Sequence, residues 1–226
     1  LMGNTENRCD LVGEAYDEKK MLPIHLKAND RIAINVLYTN KSILNYMFQE
    51  YQQALENTVM CGKYLDGALA TLGVPIYHFY DSLVRLAIFS ETPKGEQKNH
   101  LKNVAANQKK MKKWARHAPM NYLHKYYLVE AERHRVCGGD EKAGDFYDQA
   151  IALAKEHEYL NEEALANELT GRFYHERGKI AVARAYMGEA RYCYKEWGAL
   201  AKVKHLDETY PELLTHTASR QIPKII

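Results

Sequence analysis

Residues 131–150 read AERHRVCGGDEKAGDFYDQA, and residues 171–190 read GRFYHERGKIAVARAYMGEA. The two stretches align at an offset of 40 residues. Ala131, His134, Gly138, Ala143, Tyr147, Ala150 and Lys155 are matched by Gly171, Tyr174, Gly178, Ala183, Met187, Ala190 and Lys195. Glu156 and Glu196 extend the register. A fixed offset with small residues at matching places is the mark of stacked helical units. Two antiparallel helices approach to about 8–10 Å only where one presents small side chains to the other. Ala131 or Gly171 on a first helix, with Ala143 and Ala150 or Ala183 and Ala190 on a second, supply that approach. Gly138 and Gly178 fall where the first helix must end and turn, a place that favours the left-handed conformation glycine tolerates. Each unit leaves an apolar face uncovered, so neighbours must stack.

Working outward, the prolines at 23, 75, 93, 119, 211 and 223 punctuate the chain, and long helices are expected between them. Ile32, Val36, Leu37, Ile43, Leu44 and Met47 recur at helical spacing, as do Ile76, Phe79, Tyr80, Leu83, Leu86 and Ala87. Asn29-Asp30 supplies N-cap chemistry for the first of these runs. Phe48-Gln49-Glu50-Tyr51-x-x-Ala54 reads as the turn and second helix of an earlier unit. A further unit runs from Pro75 to Trp114, with a loop around Thr92-Pro93-Lys94-Gly95 and a polar second helix, Leu101 to Trp114. After Trp197-Gly198, the segment Ala199 to Tyr210 places Leu200, Val203 and Leu206 on one face, as a capping helix ended by Pro211. No stretch alternates apolar and polar residues, so no strand is expected. The organisation is an N-terminal segment (1–29), helical repeats (30–197), a capping helix (198–214) and a linker or disordered tail (215–226).

An apolar fraction of 46% against 27% charged residues predicts a folded core. A net charge of +2 is too small to argue for nucleic acid or an anionic membrane. No apolar run approaches the ~18 residues of a membrane span. The N-terminus has no signal-peptide core, and the chain begins with Leu rather than Met, as a piece cut from something longer does. Cys9, Cys61, Cys137 and Cys193 form no C-x-x-C pair and no zinc spacing, so they read as reduced, buried small hydrophobes in a cytoplasmic protein.

The spacing Gly171-x-x-Tyr174…Ala183-x-x-x-Met187 resembles the tetratricopeptide pattern. It departs at Asn167 and Thr170, which stand at the Trp and Leu positions, and at Lys195, which replaces the closing proline. Its period is 40 rather than about 34 residues. More specific strings are Leu11-Val12-Gly13-Glu14-Ala15-Tyr16, Pro75-Ile76-Tyr77-His78-Phe79-Tyr80-Asp81, Asn107-Gln108-Lys109-Lys110-Met111-Lys112-Lys113-Trp114 and Tyr192-Cys193-Tyr194-Lys195-Glu196-Trp197-Gly198-Ala199. In this order they resemble, from about Cys9 to Leu214, the helical region of very large bacterial multi-domain signalling kinases, notably of cyanobacteria. In that family a serine/threonine kinase and a P-loop ATPase-like module precede the helical region, and a GAF sensor and usually a histidine kinase follow. The resemblance implies an all-α, right-handed solenoid of helical hairpins and a non-catalytic interaction or spacer module. Its parent would be an ATP-dependent kinase with its catalytic domains elsewhere.

The residues agree with that absence of chemistry. Gly138-Gly139-Asp140-Glu141-Lys142 lacks P-loop spacing, and neither His-Arg-Asp nor Asp-Phe-Gly occurs. None of the ten histidines forms His-Glu-x-x-His, so no metal and no cofactor is expected. His78 and the many tyrosines read as packing residues. The tetratricopeptide groove positions, mapped by the repeat register, are Lys125, Leu128, Glu132 and Arg135 in one unit and Leu165, Glu168, Arg172 and His175 in the next. Their mixed charge suits a peptide or an adjoining protein domain. Lys109, Lys110, Lys112, Lys113 and Arg116 form a basic patch beside Trp114. A solvated helix face accounts for it. The alternative is a stand-alone ligand- or nucleic-acid-binding protein working through helix 109–117.

Overall fold

Asp30 accepts a hydrogen bond from the Ala33 N–H at 3.0 Å and so begins the first long helix of the computed structural model. The structure describes Leu1, residues 7–69 and residues 71–214. The expected tail, 215–226, lies outside the described residues. The helices are α1 (Glu18–Ala28), α2 (Arg31–Met47), α3 (Tyr51–Lys63), α4 (Gly73–Ala87), α5 (Lys94–His117) and α6 (Pro119–Val136). They continue as α7 (Asp140–Glu156), α8 (Leu160–Glu176), α9 (Ile180–Glu196), α10 (Leu200–Thr209) and the single turn α11 (Pro211–Leu214). Among the described residues the chain is all-helical, with no strand and one isolated bridge between Val12 and Asp17. Helix α2 packs on α3, α4 on α5, α6 on α7 and α8 on α9, and each pair meets the next through α3–α4, α5–α6 and α7–α8.

One turn closes most of these helices. Asn29, Gln49, Gly138, Glu158, Gly178 and Gly198 all have left-handed φ. The residue after each donates its N–H to the carbonyl five residues back, for example Glu50 to Asn45 at 2.8 Å and Gly139 to His134, Tyr159 to Ala154 and Lys179 to Tyr174 at 2.9 Å. This bond satisfies carbonyls that a helix end leaves unpaired. From residue 138 onward the left-handed residue recurs at 158, 178 and 198. The 40-residue offset is therefore two 17-residue helices with two three-residue turns.

The small residues of the repeat sit where the helices touch. Ala131, Ala143, Ala150, Ala183 and Ala190 are buried. A Cβ added at Gly171 would stand 3.2 Å from the Met187 amide nitrogen and 3.3 Å from the Ala183 carbonyl oxygen. Two apolar clusters form the core. One joins Tyr46, Phe79, Leu83, Leu128, Leu165 and Phe173; the other joins Met47, Met187, Tyr194, Val203, Leu206 and Leu213.

Four local expectations need correction. Pro23 lies inside α1 rather than between helices; α1 has no buried residue, so water can meet the hydrogen bond it forfeits. The expected loop at Thr92–Gly95 is shorter, because α5 starts at Lys94. The Gln97 amide there donates to the carbonyls of Phe89 and Thr92, both at 3.0 Å, and pins the turn ahead of the helix. In α10, Leu200 is 54% exposed while Lys202 is fully buried, so the face turned inward differs from the apolar row. Cys137 is exposed, unlike the other three cysteines.

Candidate functional site

The expected groove positions are gathered on the inner sides of α6 and α8, and most of them are covered. Lys125, Leu128, Glu132, Leu165 and Glu168 are buried; Arg135, Arg172 and His175 are half-buried. Their bonds run within the chain. Lys125 Nζ donates to Glu162 Oε2 at 2.7 Å and to the Asn121 carbonyl at 3.0 Å, 4.6 Å from the Tyr159 ring. His124 shares the same Glu162 oxygen. Burial pushes the Glu162 carboxyl up, but His124 and Lys125 outweigh it and hold the group below the usual carboxylate range. Arg135 grips Glu132 through Nε at 3.1 Å and Nη2 at 2.7 Å, and the Tyr147 hydroxyl donates to Oε1 of the same carboxylate. Burial again raises and Arg135 lowers, with a net depression for Glu132.

The second unit shows what covers the face. Glu168 accepts from the Tyr194 hydroxyl at 2.8 Å and from Lys202 Nζ at 2.8 Å. Lys202 also donates to the Met47 carbonyl at the end of α2. Arg172 donates to the Tyr51 hydroxyl at the start of α3. Around this point Gln49 donates to the Tyr210 hydroxyl at 3.3 Å, Phe48 meets the His205 ring edge-on at 5.4 Å, and Arg8 pairs with Glu208 at 3.1 Å. The α2–α3 turn is thus clasped between α8 and α10. Burial lowers the Lys202 ammonium from its ordinary value, with Glu168 opposing. Burial likewise lowers His205, to about 4. At the rim, His175 approaches Glu212 at 3.3 Å.

Lys202, Tyr51, Tyr147 and Tyr194 complete this network; in the sequence the tyrosines read only as packing residues, and nothing there marks Lys202. Their partners stand far away along the chain, and no local pattern marks such pairs. These buried ion pairs and hydrogen bonds tie α2, α3, α6, α7, α8, α9 and α10 together, while the Nδ1 atoms of His124 and His205 are buried without a hydrogen-bond partner.

The basic patch takes the opposite place. Lys109, Lys110, Lys112, Lys113 and Arg116 are all exposed on α5. Lys110 Nζ lies 3.2 Å from His78 Nε2, and His78 is buried and bonded to Asn107 at 2.8 Å. Trp114 packs inward against His78 and Tyr122. A cleft of about 690 Å³ lies elsewhere, between residues 8–16 and the α1–α2 pair, walled by Leu11, Val12, Val36, Leu37 and Leu44. No group of three or more His, Cys, Asp or Glu side chains is disposed to hold a metal ion among the described residues. No helix among them is long and apolar enough to cross a membrane.

Comparison with known proteins gives one informative likeness. Over 63 residues, 28% of this chain, the sequence is 49% identical to a protein of Dictyostelium discoideum named hybrid signal transduction histidine kinase G. The matched stretch is 2% of that protein's length. No family model matches the sequence, and no solved structure matches it. The comparisons therefore link part of this chain to a signal-transduction histidine kinase.

Proposed function

We propose that this chain is a non-catalytic, protein-interacting module of a large signal-transduction kinase, a tetratricopeptide-like array linking an ATPase-like domain to a sensor domain. The 49% identity over 63 residues to a hybrid histidine kinase is the observation that carries the reading. The equal helices and repeated turns of α7 to α9 support the repeat assignment. The partners are domains of the same polypeptide, and the setting is cytoplasmic. The exposed outer helix faces would meet them, because the inner face is filled by the chain's own α2–α3 turn and α10. Leu1 and Leu214 pack against one apolar cluster, and the Ala201 N–H donates to the Leu1 carbonyl at 2.9 Å. The test is the complete reading frame with kinase assays on its product. Kinase motifs in flanking domains, with phosphotransfer altered when residues 30–214 are replaced by a flexible linker, are the expected result. A frame without kinase motifs overturns the proposal.

A further inference from the structure

The net charge of +2 hides an uneven distribution. Helix α5 carries Lys98, Lys102, Lys109, Lys113 and Arg116 at intervals of four, seven, four and three residues. Such intervals bring side chains to one face of a helix, so the five form a single crest. Lys94 and Lys112 flank it. At about 1.5 Å per residue the row is about 27 Å long. All seven cations are exposed, while His100, Val104, Gln108, Met111 and Ala115 bury the opposite face. No carboxylate ion-pairs with any of the seven among the described residues, although Lys125, Arg135 and Lys202 inside the fold are all paired. With seven cations on one face, the remainder of the chain is net acidic, so the molecule is polarised and an anionic surface would orient it.

We propose that the α5 crest docks this module peripherally on an anionic lipid surface, lysine ammonium groups meeting headgroup phosphates and carboxylates. Clusters of four to eight cations on a helix suit that partner. The composition of the crest argues against the alternatives. Single-stranded nucleic acid stacks on aromatic side chains, and between the cations the outer side of α5 offers Gly95, Ala105 and Ala106, with Trp114 turned inward. Protein interfaces are built around aromatic, apolar or arginine anchors and are depleted in lysine; six of these seven cations are lysines. Hydrated ammonium point charges suit a diffuse anionic layer better than bidentate recognition. The crest offers no large apolar side chain to insert, so attachment is electrostatic and reversible by salt. This inference is independent of the kinase likeness.

The test is sedimentation of the purified chain with phosphatidylcholine vesicles and with vesicles containing phosphatidylserine. At about 0.1 M salt, where the screening length is about 10 Å, the chain is expected to pellet with the anionic vesicles alone, and to be released near 1 M salt. Replacing Lys98, Lys102, Lys109 and Lys113 together by Gln should weaken binding by more than about tenfold, with the circular dichroism spectrum unchanged. Replacing the exposed Lys195 and Lys204, which lie on other helices, should leave binding as it was. Three results overturn the proposal: no pelleting with anionic vesicles at about 0.1 M salt, equal losses in both variants, or tighter binding to duplex DNA or an acidic peptide than to the vesicles.

Discussion

Lys202→Met tests whether the inner face is held shut by the buried pair. Lys202 is fully buried and gives its ammonium to Glu168 and to the Met47 carbonyl. The methionine is close in size but cannot donate. It leaves the Glu168 carboxylate, 2% exposed, with Tyr194 as its remaining hydrogen-bond donor, and it leaves the Met47 carbonyl without this partner. Breaking a buried pair on one side costs about 3–5 kcal/mol, because a charge stays behind without compensation. For a chain of this size each kcal/mol shifts Tm by about 2–4 °C, so a fall of roughly 6–20 °C is expected. Glu168→Met should be similarly damaging, since it strands the ammonium. The double variant removes both charges and should be more stable than either single variant, a coupling of about 1–3 kcal/mol in a double-mutant cycle. The assay is urea unfolding followed by circular dichroism, repeated by thermal melting. A Lys202→Met chain within about 1 kcal/mol of the parent, or additive single losses, would refute the reasoning and mean that water reaches this pair.

Other predictions follow from local geometry. Gly188 is exposed in mid-α9 with nothing within 4 Å of an added Cβ, so Gly188→Ala should stabilise by roughly 0.5–1 kcal/mol in urea titrations. Gly171→Ala should instead destabilise by about 1 kcal/mol, because the methyl group would press on the α9 backbone harder than the gain in helix propensity repays; stabilisation at both sites would contradict the close α8–α9 approach. Glu158 is left-handed at φ 61°, and Glu158→Gly should raise stability by about 1 kcal/mol, unlike a surface change elsewhere. His205 sits near pKa 4, against an unfolded value near 6.5, so between about pH 6.5 and 4 the unfolded chain binds a proton the native chain refuses. Stability should therefore fall as pH drops through that window, with His78, His100 and His124 shifted by burial in the same direction; His205→Gln should flatten the slope, and an unchanged slope would count against this burial. With magnesium-ATP the purified chain should show neither turnover nor stoichiometric binding by calorimetry, and micromolar binding lost on replacing Lys142 would reveal a nucleotide site at the Gly138-Gly139 turn.

How much of this was legible beforehand follows from where each signal resides. Helix content, the pairing of α6 with α7 and of α8 with α9, the turns at Gly138 and Gly178, and the small residues at the crossings are all written locally. Each depends on residues within one helix and its turn, and the 40-residue offset repeats them. Half of the basic crest was visible as Lys109 to Arg116; Lys94 and Lys98 were not joined to it, because a proline–glycine cluster reads as a loop until the Gln97 side chain is seen closing the turn, and Lys102, though on the expected helix, was not grouped with the run. The inner face was decided only by the tertiary structure. Periodicity says that Glu168 and Arg172 lie on the inner side of α8, but not how tightly the array curves. Glu168 finds Lys202 34 residues away, and Lys202 finds Met47 155 residues away. A charged side chain on a helix face lines a groove or fills a core depending on whether such a distant element arrives to cover it, and here the α2–α3 turn and α10 do.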